Sequence, residues 1–210
     1  AYYAALGLGC EIVLTTPLYT ACEIANQWND AGCVLAWTRD FLRRTASEHP
    51  AATALFFANL RLSYRELLAE VERCAAAMTA LGARPGMRVA LQLPNVPQLV
   101  IAYYAALGLG CEIVLTNPLY TAREIAHQWN DAGCELAVTM DFLFARTVRA
   151  LRPELRVKQF LVASFPEYLR WPLTWLAPFK LRKKDPPAIA PIPREDGVHP
   201  FRATLRAHAA

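Results

Sequence analysis

Glycine is scarce in this chain, and no glycine stands next to another: nine occur in 210 residues. That excludes a glycine-rich loop of the kind whose backbone amides wrap a phosphate. No Gly-x-x-x-x-Gly-Lys-Ser/Thr run exists. Gly108-Leu-Gly110 and Gly7-Leu-Gly9 begin a Gly-x-Gly-x-x-Gly pattern, but Ile113 and Ile12 stand in the third place. Both runs also precede a strand-like segment instead of following one, which argues against a dinucleotide site. There is no Gly-x-Ser-x-Gly, and Ser47, Ser63 and Ser164 have no base paired with them in sequence. Charge of one sign is also lacking. A net charge of +4 with 19% charged residues is too mild for a nucleic-acid binder. The six cysteines, at 10, 22, 33, 74, 111 and 134, form no Cys-x-x-Cys, and the four histidines are dispersed, so no zinc site is indicated. They read as buried free thiols of a reducing cytosol. The chain opens at Ala1 inside an apolar helical pattern with no basic n-region. It reads as sequence that starts mid-gene, not as a signal peptide.

What is present is a core, and a repeat. A length of 210 residues fits one domain or at most two small ones, and 55% hydrophobic residues argue for a globular core. Residues 102–143 read AYYAALGLGCEIVLTNPLYTAREIAHQWNDAGCELAVTMDFL. Residues 1–42 repeat them except at Thr16/Asn117, Cys22/Arg123, Asn26/His127, Val34/Glu135, Trp37/Val138 and Arg39/Met140. The match stops after Leu42, so this is a partial duplication and not an array. Both copies are built for one place in a sheet. The second has its upstream strand and whole helix attached, so it is expected to win. Copy one is then expected at a sheet edge or in a loosely packed position.

Taken in order, residues 1–9 resemble the back of a helix, and Glu11–Thr15 a short strand. Thr20 to Glu23 forms a capping box whose helix runs to Gly32. Cys33 to Thr38 reads as a second strand, and Asp40 as the cap of a helix to about Ala46. Thr53 to Leu62 is a strand or hairpin arm. Ser63 to Glu66 is another capping box. Its helix buries Leu67, Leu68, Val71, Cys74, Ala75, Met78 and Leu81 and leaves Arg65, Glu70, Glu72 and Arg73 wet. Val89–Leu93 is a buried strand. Asn95 is placed as the cap of the next helix, with Pro97 in its first turn. Cys111–Thr116 is a strand, Thr121 to Glu124 opens a helix that Gly133 closes, and Glu135–Thr139 is a strand. Asp141 caps a helix to about Leu151, and Val157–Ala163 is the last clear strand. Strand and helix alternate from Val89 onward, which predicts a mostly parallel sheet with right-handed βαβ crossovers. Tyr103 and Tyr104 are assigned to the core, and His127 to an exposed polar position.

After Phe165 the composition changes. Residues 165–184 hold three prolines, Trp171, Trp175 and the basic group Lys180, Arg182, Lys183 and Lys184. The plain reading is packing against further protein. The functional reading is a peripheral membrane contact, with aromatic residues at the interface and bases at the headgroups. The run DPPAIAPIPRED is expected to be extended, and HPFRATLRAHAA to begin a short helix.

The stretches HPAATALFF, LSYRELLAEVERCAAAMTALGARPGMRVALQLPNVPQLVIAYYAALGLG and NPLYTAREIAHQWNDAG resemble AMP-forming acyl-CoA synthetases, particularly long-chain fatty acid–CoA ligases of the adenylate-forming superfamily. The likeness runs from about Ala46 to Leu205 and implies an incomplete N-terminal subdomain of such an enzyme. WTRDFLRRTASEHPAATALFF looks like that region's usual opening. The division it implies is a duplicated fragment at 1–36, copying 102–137, an α/β subdomain at 37–164 and a Trp/Pro-rich basic tail at 165–210. The family makes an acyl-adenylate from ATP and a carboxylic acid, then passes the acyl group to coenzyme A. Its Mg·ATP is held by a Ser/Thr/Gly-rich loop ending in Pro-Lys-Gly, which these residues do not contain. The resemblance therefore assigns no catalytic, cofactor-binding or metal residue here. It implies ATP, Mg, fatty acid and coenzyme A only for the whole enzyme. The expectation is an inactive ligase fragment, cytoplasmic or membrane-peripheral, with self-association through the duplicated segment as a further expectation. The alternative is a non-enzymatic interaction module built on the same subdomain.

Overall fold

A computed structural model describes residues 12–13, 34–171, 173–175, 181 and 187–208, with backbone only at 12, 13 and 34–40. The core is a five-stranded sheet in the order β5-β4-β6-β7-β8, with every neighbouring pair parallel. Its strands are β4 (Arg88–Gln92), β5 (Glu112–Leu115), β6 (Leu136–Met140), β7 (Gln159–Ala163) and β8 (Val198–Pro200). Apart lies a small sheet: β1 (Ile12–Val13), β2 (Thr53–Phe57) and β3 (Leu60–Ser63).

Side-chain alternation feeds two cores, one on each face of the large sheet. Val89, Leu91, Leu136, Val138, Met140, Leu161 and Ala163 point to one face. Ala90, Ala137, Phe160 and Val162 point to the other. The period of two is what a pleated strand dictates. Helices α1 (Val34–Glu48), α2 (Tyr64–Ala80), α3 (Pro97–Gly108) and α6 (Phe201–Ala207) cover the first face. Helix α4 (Ala122–Asp131) and the helical run α5 (141–151) cover the second through Ile125, Trp129, Phe144 and Val148.

Both predicted capping boxes of the described region form. Ser63 Oγ accepts the Glu66 amide and Thr121 Oγ1 accepts the Glu124 amide, while each glutamate takes the cap's own N–H. Hydrogen bonds from Ser63 hold the Glu66 carboxyl below its ordinary value, and those from Thr121 do the same for Glu124. Cys74, Cys111 and Cys134 are free and buried; burial pushes the Cys134 thiol up to about 12. Tyr103 and Tyr104 are core and His127 is exposed, as expected.

Some expectations fail. Cys33 to Thr38 was expected to be a strand, but residues 34–38 lie in the helix α1. The strand position that segment matches is already filled by β6. Glu70 was expected to be wet and is buried. Asn95 does not cap α3: the cap position is Val96, with no side-chain bond, and Pro97 follows at the first turn. The Thr53–Leu62 stretch resolves into a hairpin turned at Ala58, whose φ is 51°. Helix α5 is not uniform. It carries a π-helical turn at Phe144–Val148 between Asp141–Leu143 and Arg149–Leu151. Strand β8 had no strand signature, being three residues with a proline.

The expected edge position of copy one has a partial counterpart. Ile12–Val13 pairs in parallel with Leu55 and Phe56 at the edge of the small sheet. The capping box at Thr20 and Glu23, and Cys10, Cys22 and Cys33, lie outside the described residues.

Candidate functional site

In an open α/β sheet, ligands enter at the carboxyl ends of the strands, where the strand order reverses. Here that point lies between β4 and β6. The described residues there are polar and buried. Gln92 and Thr139 are fully buried register partners, and Thr139 Oγ1 donates to Gln92 Oε1 at 3.0 Å. Gln92 Nε2 finds no partner among the described residues.

One strand over, Ser164 Oγ donates to Asp141 Oδ2 at 2.6 Å. Asp141 Oδ1 accepts the Phe142 amide at 2.7 Å, and the Ala190 backbone also bonds to this carboxylate. Desolvation raises the Asp141 pKa, and these hydrogen bonds pull it partly back. Asp141, expected as a simple helix cap, is thus a junction between β6, β7 and the proline-rich segment.

Beside it Glu167 Oε2 accepts the Ser164 amide at 3.1 Å and Gln98 Nε2 at 3.3 Å. Burial raises the Glu167 pKa as well. Gln98, 1% exposed, also donates to the Ser164 carbonyl at 3.0 Å. A second group lies next to this one. Glu70 accepts Tyr168 Oη at 2.6 Å, Arg202 at 2.6 Å and Arg73 at 2.8 Å. The Arg202 guanidinium sits over the Tyr168 ring at 4.6 Å.

This arrangement can fasten one element to another. Ser164 gives its proton to a carboxylate, and no imidazole touches it. His199 pairs with Gln159 at 2.7 Å, and His127 lies on the outer side of α4 in a shallow depression with Arg123, Asn130 and Asp131. No group of three or more His, Cys, Asp or Glu that could hold a metal occurs among the described residues.

Glycines with positive φ are at 82, 86, 110, 133 and 197. Each lies outside the regular elements, where the chain turns. A Cβ at Gly110 would meet Pro85 at 3.3 Å, and one at Gly197 would meet the Lys158 carbonyl at 2.3 Å. Those spaces are taken by this chain itself. Gln92, Gln98 and Glu70 carried no motif in sequence, Asp141 was placed only as a helix cap, and Ser164-Phe-Pro-Glu167 has the spacing of a capping box, which forms; only the fold brings these residues together. A polar residue interrupting an apolar run, as Gln92 interrupts VALQL, is a further signal that was available.

Fold and edge geometry together define the class. The parallel sheet matches the N-terminal subdomain of adenylate-forming enzymes. The chain belongs to the AMP-binding enzyme family, whose model matches residues 42–197. It is 35% identical over 146 residues to a long-chain-fatty-acid–CoA ligase of Bacillus subtilis, covering 70% of this chain and 26% of that protein. It is 36% identical over 89 residues to a ligase of the same name from Escherichia coli, covering 42% of this chain and 16% of that one. Among solved structures, it resembles an anthranilate CoA ligase in complex with anthranoyl-AMP, with TM-score 0.64, 81% of this chain and 28% of that one covered. At 19% identity that likeness speaks for the fold alone. A Mycobacterium tuberculosis fatty acyl CoA synthetase matches at TM-score 0.54 and 28% identity, over 61% of this chain and 26% of that one. The chain spans about a quarter of the length of the Bacillus relative.

Proposed function

We propose that this chain is the N-terminal part of a long-chain fatty acid–CoA ligase and is inactive by itself. The whole enzyme would join ATP and a fatty acid into an acyl-adenylate, then transfer the acyl group to coenzyme A. The observation that carries the reading is the 35% identity over 146 residues to the Bacillus ligase. These 210 residues contain no phosphate loop. Within the ligase the chain would act as scaffold. The Asp141–Ser164–Glu167 group would hold the carboxyl edge of the sheet rigid beside protein that carries the chemistry. Residues 1–36 would be a duplicated fragment ahead of the subdomain at 37–164 and its tail. The protein would work in the cytoplasm.

The test has two arms. Isothermal titration of the chain with Mg·ATP should give no heat of binding, and micromolar binding would overturn the claim of inactivity. A chimera with residues 37–205 in place of the matching part of the Bacillus ligase should keep long-chain acyl-CoA formation. A folded chimera that makes none would overturn the ligase reading and favour an interaction module.

A further inference from the structure

Three polar side chains stand in a row across the carboxyl end of the large sheet, on the face covered by α4 and α5. Gln92 ends β4, and Thr139 lies opposite it on β6. On the other side Leu91 pairs with Leu115, and the Thr116 amide donates to the Leu91 carbonyl at 2.9 Å. Thr116, just past β5, is therefore the neighbour of Gln92 one step further along. Side chains alternate across a strand. Ala90 and Val114, two residues back from Gln92 and Thr116, pack in the core of the α4/α5 face, so Gln92 and Thr116 share that face. Trp129 of α4 reaches the same row, its Nε1 donating to Thr116 Oγ1 at 2.8 Å. Gln92, Thr139 and Trp129 are fully buried, and Thr116 is 3% exposed.

The donors and acceptors of this row do not balance. Gln92 Oε1 accepts the Thr139 hydroxyl at 3.0 Å. The planar amide then carries its nitrogen on the side away from Thr139, and the register puts Thr116 on that side. Gln92 Nε2 is out of solvent and has no partner among the described residues. A buried amide donor left unmade is destabilising, and native proteins pair such groups with protein or with water. Thr116 Oγ1 has a second lone pair beside the one that the indole takes. Neighbouring strands lie about 4.8 Å apart. Polar atoms at that separation do not reach each other, but one water spans them with two bonds of about 2.8 Å.

We propose that a single buried water is bound between Gln92 Nε2 and Thr116 Oγ1, accepting from the amide and donating to the hydroxyl oxygen. It completes a chain from Trp129 through Thr116, water and Gln92 to Thr139. That chain ties α4 to the ends of β5, β4 and β6 at the point where the strand order reverses. The ligand is a neutral donor and acceptor because every side chain in the row is uncharged; an ion there would have no counter-charge. Two atoms one strand spacing apart also leave room for one oxygen. Any ligand that displaced this water would have to reproduce both of its bonds. The inference stands on register and hydrogen-bond balance and not on the ligase reading, so either can fail alone.

The test is a crystal structure of the full chain that resolves ordered water, with NMR cross-relaxation between water and the Gln92 side-chain amide read in solution. A density peak should stand within hydrogen-bond distance of both Gln92 Nε2 and Thr116 Oγ1. The amide protons should show a water cross-peak of the sign that long-lived hydration gives. Thr116→Val should lose the peak and the cross-peak, whereas Thr116→Ser keeps the oxygen and should retain both. Thr139→Val removes a hydroxyl outside the bridge and should keep the water. Circular dichroism checks that each variant folds, and the wild-type structure decides by itself where Thr116→Val does not. Absence of density between the two atoms overturns the proposal, as does an amide turned so that Nε2 donates to Thr139. A direct bond between Gln92 and Thr116, or a cross-peak that Thr116→Val retains, overturns it equally.

Discussion

The same run of residues folds two ways in this molecule. In copy two, Leu136-Ala-Val-Thr-Met140 is a central strand, fully buried on both faces, and Asp141 begins the next helix. In copy one, the matching Leu35-Ala-Trp-Thr-Arg39 lies in α1, a helix that continues through Asp40 to Glu48. Three substitutions separate the two segments. Trp37 stands where Val138 has no free space, and Arg39 where Met140 is fully buried with no partner for a charge. Val34 stands where Glu135 holds Arg84 through both carboxylate oxygens at 3.0 Å. A strand slot buried on both sides tolerates neither a large ring nor an unpaired cation. Downstream in the helix, Leu42 and Ala46, four apart, supply a buried stripe.

The substitutions that leave copy two's packing alone teach the complement. Asn117, Arg123 and His127 are all exposed. Copy one thus keeps every buried side chain of 102–133 and differs only on the surface there.

The comparison can be broken first at its centre. Met140→Arg places copy one's charge in the sheet and should cost about 3–5 kcal/mol. Val138→Trp should cost about 3 kcal/mol by overpacking. Urea midpoints and soluble yield measure both, and a Met140→Arg variant of ordinary stability would refute the packing argument.

Next in size is the fastening of the tail, which copy two's Asp141 reaches and which Glu70 secures. Glu70→Ala strands Tyr168, Arg73 and Arg202 and should cost about 2 kcal/mol, since Arg73 and Arg202 keep some contact with water. An unchanged denaturation midpoint would show that the tail is held by apolar contacts alone.

Asp141→Asn should show itself through pH. The folded pKa of Asp141 lies above its unfolded value near 3.8. Between the two the folded state binds more protons, so this group's contribution to stability falls as pH rises through that window. Relative to wild type, the variant should therefore gain as pH rises from below 3.8, then level off. Thermal melts at a series of pH values read this difference, and a gain on acidification instead would reverse the assignment. The lowered values of Glu66 and Glu124 act in the opposite sense in both proteins and cancel in the comparison.

The smallest effect belongs to copy one. The described contact of residues 1–33 with the rest is a two-residue ladder on β2. Deleting residues 1–33 should leave the melting temperature equal or slightly higher and raise solubility. A fall of several degrees would show that the first copy is part of the core.

Much was readable before any fold was seen. The capping boxes at Ser63 and Thr121, the buried stripe of α2 and the alternation of strand and helix are local patterns, each with a local cause. Glu70 was misread because its helix looks amphipathic without it; Tyr168 and Arg202, 98 and 132 residues away, turn that wet position into a buried one. Gln98 was silent for the same reason: its partners, the Ser164 carbonyl and Glu167, lie 66 and 69 residues away.

Sequence by itself determined which segments could be strand or helix and which residues carried a face to bury. Tertiary structure decided which of two near-identical copies became the strand, and which polar side chains were drawn inside. The physical reason is that propensity and periodicity act over a few residues. The desolvation of a tryptophan, an arginine or a glutamate is set by whatever the rest of the chain brings against it.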